Sequence, residues 1–193
     1  MLRRLYDWTM SLARTRYAER GLAGVSFVES SFFPIPPDVL LIPMVLADRT
    51  KWLRYAVVCT VASVLGGLFG YFIGAVLFDL IGRPILEFYG YMDEFARFQE
   101  AFNRWGLLTV FIFGLTPLPY KVVTIASGLT GLSLPVFVIS SILSRGLRFF
   151  VVAWLLHHFG EPIRVFIEKH LGLLFTLFVV LLVGGFVVIR YLF

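Results

Sequence analysis

Prolines set inside an apolar run are the strongest constraint on this chain. In FVESSFFPIPPDVLLIP, Phe27 to Pro43, a hydrophobic stretch carries Glu29 and Asp38 and is broken by Pro34, Pro36 and Pro37. Proline lacks the amide proton of the helical ladder and its ring clashes with the preceding turn, so no single helix crosses this stretch. The apolar arms on either side, Gly21 to Phe33 and Val39 to Ala47, are each about half of the ~20 residues that a membrane-spanning helix needs. The pattern predicts a re-entrant hairpin that enters from one face, turns at membrane depth and leaves by the same face. Such a tip is tolerated in a bilayer only where it is buried in protein or lines a wet cavity, which marks it as a candidate site.

The same pattern occurs again. Leu107 to Thr116 form a short apolar arm, Pro117-Leu118-Pro119 break it, and Tyr120 to Leu134 form a second arm that contains Lys121. One long apolar segment follows each hairpin, first 53–80 and then 135–158. A hairpin returns the chain to its starting face and a spanning helix then crosses once, so the second unit has to enter from the opposite face. The expected architecture is an all-α integral membrane protein. It is built as an inverted repeat of re-entrant hairpin plus transmembrane helix, with the hairpins at 21–47 and 106–134, an arrangement that places a transport site between the two breaks. An extra transmembrane helix is expected over 171–192. Amphipathic helices are expected on the surface over 1–20, where Leu5, Trp8 and Leu12 share a face, and over Gly90 to Trp105. In the latter, Phe88, Met92, Phe95, Phe98 and Phe102 recur at helical spacing.

Charge and composition agree. The chain is 59% hydrophobic over 193 residues, the composition of one membrane domain, 21–160, with short additions. The first twenty residues hold Arg3, Arg4, Asp7, Arg14, Arg16, Glu19 and Arg20, without the apolar core of a cleavable signal. Together with Arg49, Lys51 and Arg54 they load one face with positive charge. The opposite loop has Arg83, Arg97 and Arg104 against five acidic residues between Asp79 and Glu100. The positive-inside rule predicts a cytoplasmic N-terminus and an external C-terminus. The basic balance follows this topology and does not point to nucleic acid. Cys59 is the lone cysteine, which excludes an intrachain disulfide and a cysteine metal cluster. No metal or cofactor is expected.

The second spanning segment carries the chemistry. Ser141, Ser144, Arg145 and Arg148 fall at i, i+3, i+4 and i+7 and form one polar face. A charge at mid-membrane on an isolated helix costs roughly 2.5–3.5 kcal/mol, so both arginines need partners or water. Glu29 and Asp38 are the evident partners. One alternative is an ion pair that only fixes hairpin packing. The other is function: Lys121, Arg145 and Arg148 outnumber the two carboxylates, and an uncompensated guanidinium beside broken-helix termini suits a phosphate. On the first spanning helix Ala62, Gly66, Gly70 and Gly74 recur every four residues. This stripe lets another helix approach closely, and it permits a homo-oligomer without requiring one.

Glu29, the PIPPD segment ending at Asp38, GGLFGYFIG (Gly66 to Gly74), FGLTPLPYK (Phe113 to Lys121) with Gly128, and SRGLRFFVVAW (Ser144 to Trp154) together resemble the DedA family, whose core is the VTT domain, and within it the YqaA-like branch. The resemblance covers about Gly21 to Gly160. It implies a polytopic protein of the bacterial inner membrane with paired re-entrant hairpins. It also implies movement of lipid phosphates, notably undecaprenyl phosphate or phospholipids, with dependence on the proton-motive force. Glu29 and Asp38 occupy the positions of the family's membrane acids. The chain departs from the pattern at the second hairpin, where Thr116 and Lys121 stand in place of two arginines.

The resulting expectation is a flippase or scramblase for a phosphate-headed lipid, proton-coupled through Glu29 and Asp38. Arg145, Arg148, Lys121, Ser144 and Ser141 would bind the headgroup between tips formed by Pro34, Pro36, Pro37, Pro117 and Pro119. A proton-coupled carrier of a small ion and a structural role in membrane assembly are the alternatives. An enzyme is not expected: HExxH, a nucleophile elbow and a phosphatase-like histidine spacing are absent from the sequence.

Overall fold

A computed structural model of the protein describes residues 17–32, 36–116, 119–160 and 162. The expected C-terminal span over 171–192 lies outside the described residues. So do Pro34, Pro117 and all but the end of the expected surface helix over 1–20. Residues from Ala18 onward belong to the first arm instead, which starts earlier than Gly21.

Every regular element among the described residues is helical. Two short helices, α1 (Ala18–Ser31) and α2 (Asp38–Ala47), flank the first proline break. A 3-10 turn, Arg49–Lys51, leads into the long α3 (Trp52–Leu77). A π-helical turn, Phe78–Gly82, joins α3 to α4 (Arg83–Tyr89), and α5 (Met92–Arg104) follows. The second break lies between α6 (Gly106–Leu115) and α7 (Tyr120–Leu129), and the chain then forms the long α8 (Leu134–Phe159).

Polarity is arranged for lipid. On α3 the exposed positions include Val57, Val61, Leu65, Phe69 and Val76, and on α8 they include Ile139, Ile142, Leu143 and Leu147. Small and polar residues are among the buried positions: Ser63, Gly66, Gly67 and Gly70 on α3, and Ser140, Ser141, Ser144 and Arg145 on α8. An apolar outside around a polar inside is the pattern of helices solvated by a bilayer. Both long helices are long and apolar enough to span one.

Close backbone contact sets the packing. On α1, Ala18, Leu22, Ser26 and Ser30 form a mostly small buried stripe at four-residue spacing. α3 is pressed against it. A Cβ on Gly66 would collide with the Phe27 carbonyl, one on Gly74 with the Ile125 carbonyl of α7, and one on Gly128 with the Tyr71 carbonyl. The glycine stripe is therefore a packing surface, gripped by α1 on one flank and α7 on the other. α6 packs on α8, and α2 also reaches α8.

The ends of the elements fix their directions. Arg54 Nη2 meets Glu19 Oε2 at 2.7 Å, placing the start of α1 beside the start of α3. His157 Nδ1 lies 2.8 Å from the Arg49 carbonyl, placing the end of α8 at that same level. At the other end the Tyr71 hydroxyl donates to the Leu132 carbonyl at 2.6 Å, just before α8 begins. Gln99 and Asn103 of α5 donate to the Thr130 carbonyl at 2.7 and 3.0 Å, and Gly106 packs on Leu132. The long helices therefore run antiparallel, and the two short pairs have their bases at opposite ends of them.

The first expected span, 53–80, falls on α3 (Trp52–Leu77) and the start of the π turn after it. Helical backbone continues from Arg49 to Tyr89, 41 residues, which at 1.5 Å per residue is about 60 Å and roughly twice the hydrocarbon thickness. Pro84 sits in the first turn of α4, one turn beyond Leu80. Its ring would strike the Leu80 carbonyl, and the π turn before it relieves that clash without ending the helix. The helix stops at Gly90, whose φ of 71° is left-handed. Phe88 therefore belongs to α4 and not to the amphipathic helix α5, where Phe95 stacks on Phe78 at 4.8 Å.

Candidate functional site

The two breaks place one acid or one carbonyl at each tip. Pro37 caps α2 through its carbonyl, which accepts from Leu41 N at 2.9 Å, and Asp38 opens the helix. α6 ends at Leu115, and the extended Thr116 turns its carbonyl outward before the second break. Glu29 lies in the last turn of α1. α8 passes all of these with its polar face.

Arg145 is the centre of the site. Its side chain is 1% exposed. Nη2 donates to Glu29 Oε2 at 2.7 Å and Nε donates to Ser63 Oγ at 2.6 Å. The guanidinium carbon lies 4.8 Å from the ring centroids of both Tyr120 and Phe149, so two aromatic side chains contact the cation. These rings come from the two apolar clusters of the fold, one around Tyr71, Tyr120 and Phe137 and one around Leu41, Cys59 and Phe149. The site is the seam between them.

Hydroxyl groups close a ring around the pair. Ser63 Oγ is 2.6 Å from Ser30 Oγ, and Ser30 Oγ reaches Glu29 Oε2 at 3.1 Å. A guanidinium only donates and a carboxylate only accepts. The proton direction with Glu29 ionised is therefore Arg145 to Ser63 to Ser30 to Glu29, and the direct Arg145–Glu29 bond completes the circuit. Arg145 Nη1 is buried without a hydrogen-bond partner among the described residues. Thr124 Oγ1 of α7 lies 3.2 Å from the Ser30 carbonyl and ties the two short pairs together behind the ring. The Tyr120 hydroxyl donates to Ser141 Oγ at 2.5 Å.

A second pair lies one turn along α8. Arg148 Nη2 donates to Asp38 Oδ2 at 2.7 Å and Nη1 donates to the Thr116 carbonyl at 3.0 Å. It is more exposed than the first, with side chains 19% and 23% exposed. One guanidinium thus holds both tips.

Of the residues singled out in the sequence, Glu29, Asp38, Arg145, Arg148 and Ser141 converge here, with Pro36, Pro37 and Pro119 beside them. Ser144 is committed to its own helix, donating to the Ser140 carbonyl at 2.7 Å. Lys121 is half-buried and makes no ion pair among the described residues. Ser30, Ser63, Tyr120 and Phe149 join the site without having stood out in the sequence. Ser30 adjoins Glu29 and Ser63 lies next to Ala62 of the glycine stripe, but a buried hydroxyl has no distinctive sequence signal; Tyr120, directly after the second break, had the best one. No group of three metal-ligating side chains occurs among the described residues. His157 is held on the Arg49 carbonyl and stacks on Trp52.

Comparison with known proteins gives a consistent set of likenesses. The family model of the VTT domain matches residues 35–158. An uncharacterized protein of Haemophilus influenzae is 37% identical over 186 residues, 96% of each chain. An uncharacterized protein of Histophilus somni is 34% identical over 168 residues, 85% of this chain and 87% of that one. A Lactococcus lactis protein named alkaline phosphatase-like is 26% identical over 128 residues, 62% of this chain and 60% of its own. No solved structure matches.

Proposed function

Starting from the fact that this chain belongs to the VTT domain family, the core of the DedA proteins, we propose that it moves a phosphate-headed lipid across the bacterial inner membrane. Independently of the substrate, this is an all-α membrane protein of a family linked to membrane transport or homeostasis. Undecaprenyl phosphate or a phospholipid is the proposed substrate, and the YqaA-like branch belongs to the same proposal.

The observation that carries this reading is the pair of arginines, Arg145 buried on Glu29 and Arg148 more exposed on Asp38, at the place where both broken helix pairs meet. A guanidinium recognises a phosphate through the same N–H groups that hold a carboxylate, so the more exposed Arg148, one turn from the buried Arg145, suits an anion that brings its own negative charge. Support for paired re-entrant hairpins in an inverted repeat comes from the antiparallel long helices and the opposite bases of the two short pairs. Helices of 10 to 14 residues extend about 15–21 Å, half to two-thirds of the hydrocarbon thickness. Glu29 and Asp38 are the proposed proton-coupling groups, and the proposed orientation has the N-terminus in the cytoplasm and the C-terminus outside.

The test is transbilayer lipid movement in proteoliposomes, with undecaprenyl phosphate and a fluorescent phospholipid side by side, with and without a pH gradient. Wild type should move one of them, and Glu29→Gln and Arg145→Ala should each abolish movement. Movement of neither lipid by folded protein would overturn the proposal in favour of a small-ion carrier or a structural role.

A further inference from the structure

Resting on the lipid-phosphate reading of this site, we infer that Arg148 rather than Arg145 is the position where the headgroup exchanges, and that Asp38 is the internal anion it displaces. The two pairs differ in accessibility and in what they hold. Arg145 is sealed between Tyr120 and Phe149 and tied into the ring of Glu29, Ser30 and Ser63. An incoming anion would have to push a pair of buried rings aside to reach it. Arg148 and Asp38 are both partly open, at the tips.

A carboxylate and a phosphate use the same N–H groups of a guanidinium, so the two occupy Arg148 Nη2 in turn and not together. The consequence is mechanical. While Asp38 is bound, Arg148 joins the first turn of α2 to the Thr116 carbonyl at the end of α6. Once a phosphate replaces Asp38, Arg148 still holds the α6 tip but the first turn of α2 is released, while Leu41, Met44 and Val45 keep the rest of α2 in the core. α1 stays docked throughout, because Glu29 remains on Arg145 and Phe27 on Gly66. Substrate arrival therefore separates the two arms of the first pair at their tip. Arg145 and Glu29 are the frame, while Arg148 and Asp38 are the latch.

The experiment is calorimetric titration of the full-length protein in detergent with geranyl phosphate, with inorganic phosphate and geraniol as the other arms. Asp38→Asn removes the internal competitor and should tighten geranyl phosphate binding by about five-fold, the most an accessible ion pair ordinarily contributes. Glu29→Gln should not tighten it. Arg148→Ala should lose saturable binding, and Arg148→Lys should weaken it while keeping it measurable. Inorganic phosphate binding as tightly as geranyl phosphate would identify a free anion, not a lipid headgroup, and overturn the lipid component of the inference. Weaker binding by Asp38→Asn, or unchanged binding by Arg148→Ala, would overturn the exchange. Wild-type protein gives a measurement independent of variant folding. Hydrogen exchange of the amides around residues 38–41 should accelerate on adding geranyl phosphate while that of 26–31 does not, and equal or slower exchange at 38–41 would overturn the release. Failure of the transport reading looks different, since saturable binding with the Asp38→Asn gain but without lipid movement would leave the exchange standing.

Discussion

Glu29 and Arg145 stand 116 residues apart in the chain and 2.7 Å apart in the fold. The bond crosses from the end of α1 to the middle of α8 and ties the first unit to the second. Its cation is buried and its anion only 14% exposed, so each partner is the condition for the other's presence there. Removing one member of such a pair leaves an uncompensated charge in a dry site, at a cost of about 3–5 kcal/mol. Glu29→Leu should accordingly lower the unfolding temperature sharply. Glu29→Leu combined with Arg145→Met should recover most of that loss while lipid movement stays abolished. Thermal unfolding in detergent, followed by the vesicle assay, checks both halves. Recovery of transport by the double variant would identify the pair as scaffold.

The cation's aromatic neighbours can be separated from its hydrogen bonds. Tyr120→Phe keeps the ring beside Arg145 and removes the hydroxyl that donates to Ser141. It should cost about 1–3 kcal/mol, the range for a buried polar group deprived of its partner. Tyr120→Leu should cost a further ~1–2 kcal/mol through the lost cation–π contact. Denaturation midpoints of the three proteins should fall in the order wild type, Phe, Leu.

Glycine positions give a cleaner packing test. A methyl group at Gly66 or Gly74 runs into backbone carbonyls, Phe27 and Ile125, which have no rotamer to escape into. Gly66→Ala and Gly74→Ala should each cost about 1–3 kcal/mol. At Gly24 of α1 an added Cβ meets nothing within 4 Å, and Gly24→Ala should be neutral or slightly stabilising, as the helix propensity of alanine requires. Equal effects at all three positions would contradict the packing described.

The connector between α2 and α3 supplies a pH effect. Lys51, and after it Thr50, hold the Asp48 carboxyl down at about 2 against an ordinary 3.8. A carboxyl depressed in the folded state stabilises fully above its unfolded value and loses that contribution as pH falls through the folded one. The unfolding-temperature difference between wild type and Asp48→Asn should be constant from neutral pH to about 4 and close between about 4 and 2. Asp48 is exposed to water at the surface, so the effect should be small and should shrink in salt.

Much of the architecture was legible because it rests on local rules. Proline positions gave the breaks, and the described caps fall at Pro37 and Pro119. The i, i+3, i+4, i+7 polar face of α8 was visible as a pattern and is buried as a pattern, apart from the more exposed Arg148. The run-on of α3 through Pro84 was not legible. A proline in a polar stretch reads as a stop, and only the π turn, a backbone adjustment without a sequence signature, lets the helix continue. Lys121 reads as a third cation of the site, yet its half-buried side chain forms no ion pair among the described residues.

From the order of amino acids alone follow the class of solvent the chain folds in and the points where its helices break. Both are sums of per-residue terms, hydrophobic transfer and the missing amide of proline, which hold wherever the neighbours are. Which acid meets which arginine was settled by tertiary packing. Glu29 and Asp38 are equally suitable partners for Arg145 and Arg148 on paper. The choice depends on where α1 and α2 come to lie beside α8: α1 is fixed by Gly66 of α3 pressed on the Phe27 carbonyl, and α2 by Leu41, Met44 and Val45 packed in the apolar cluster with Phe149. The resulting division into a buried pair and a more exposed one exists only once those helices pack.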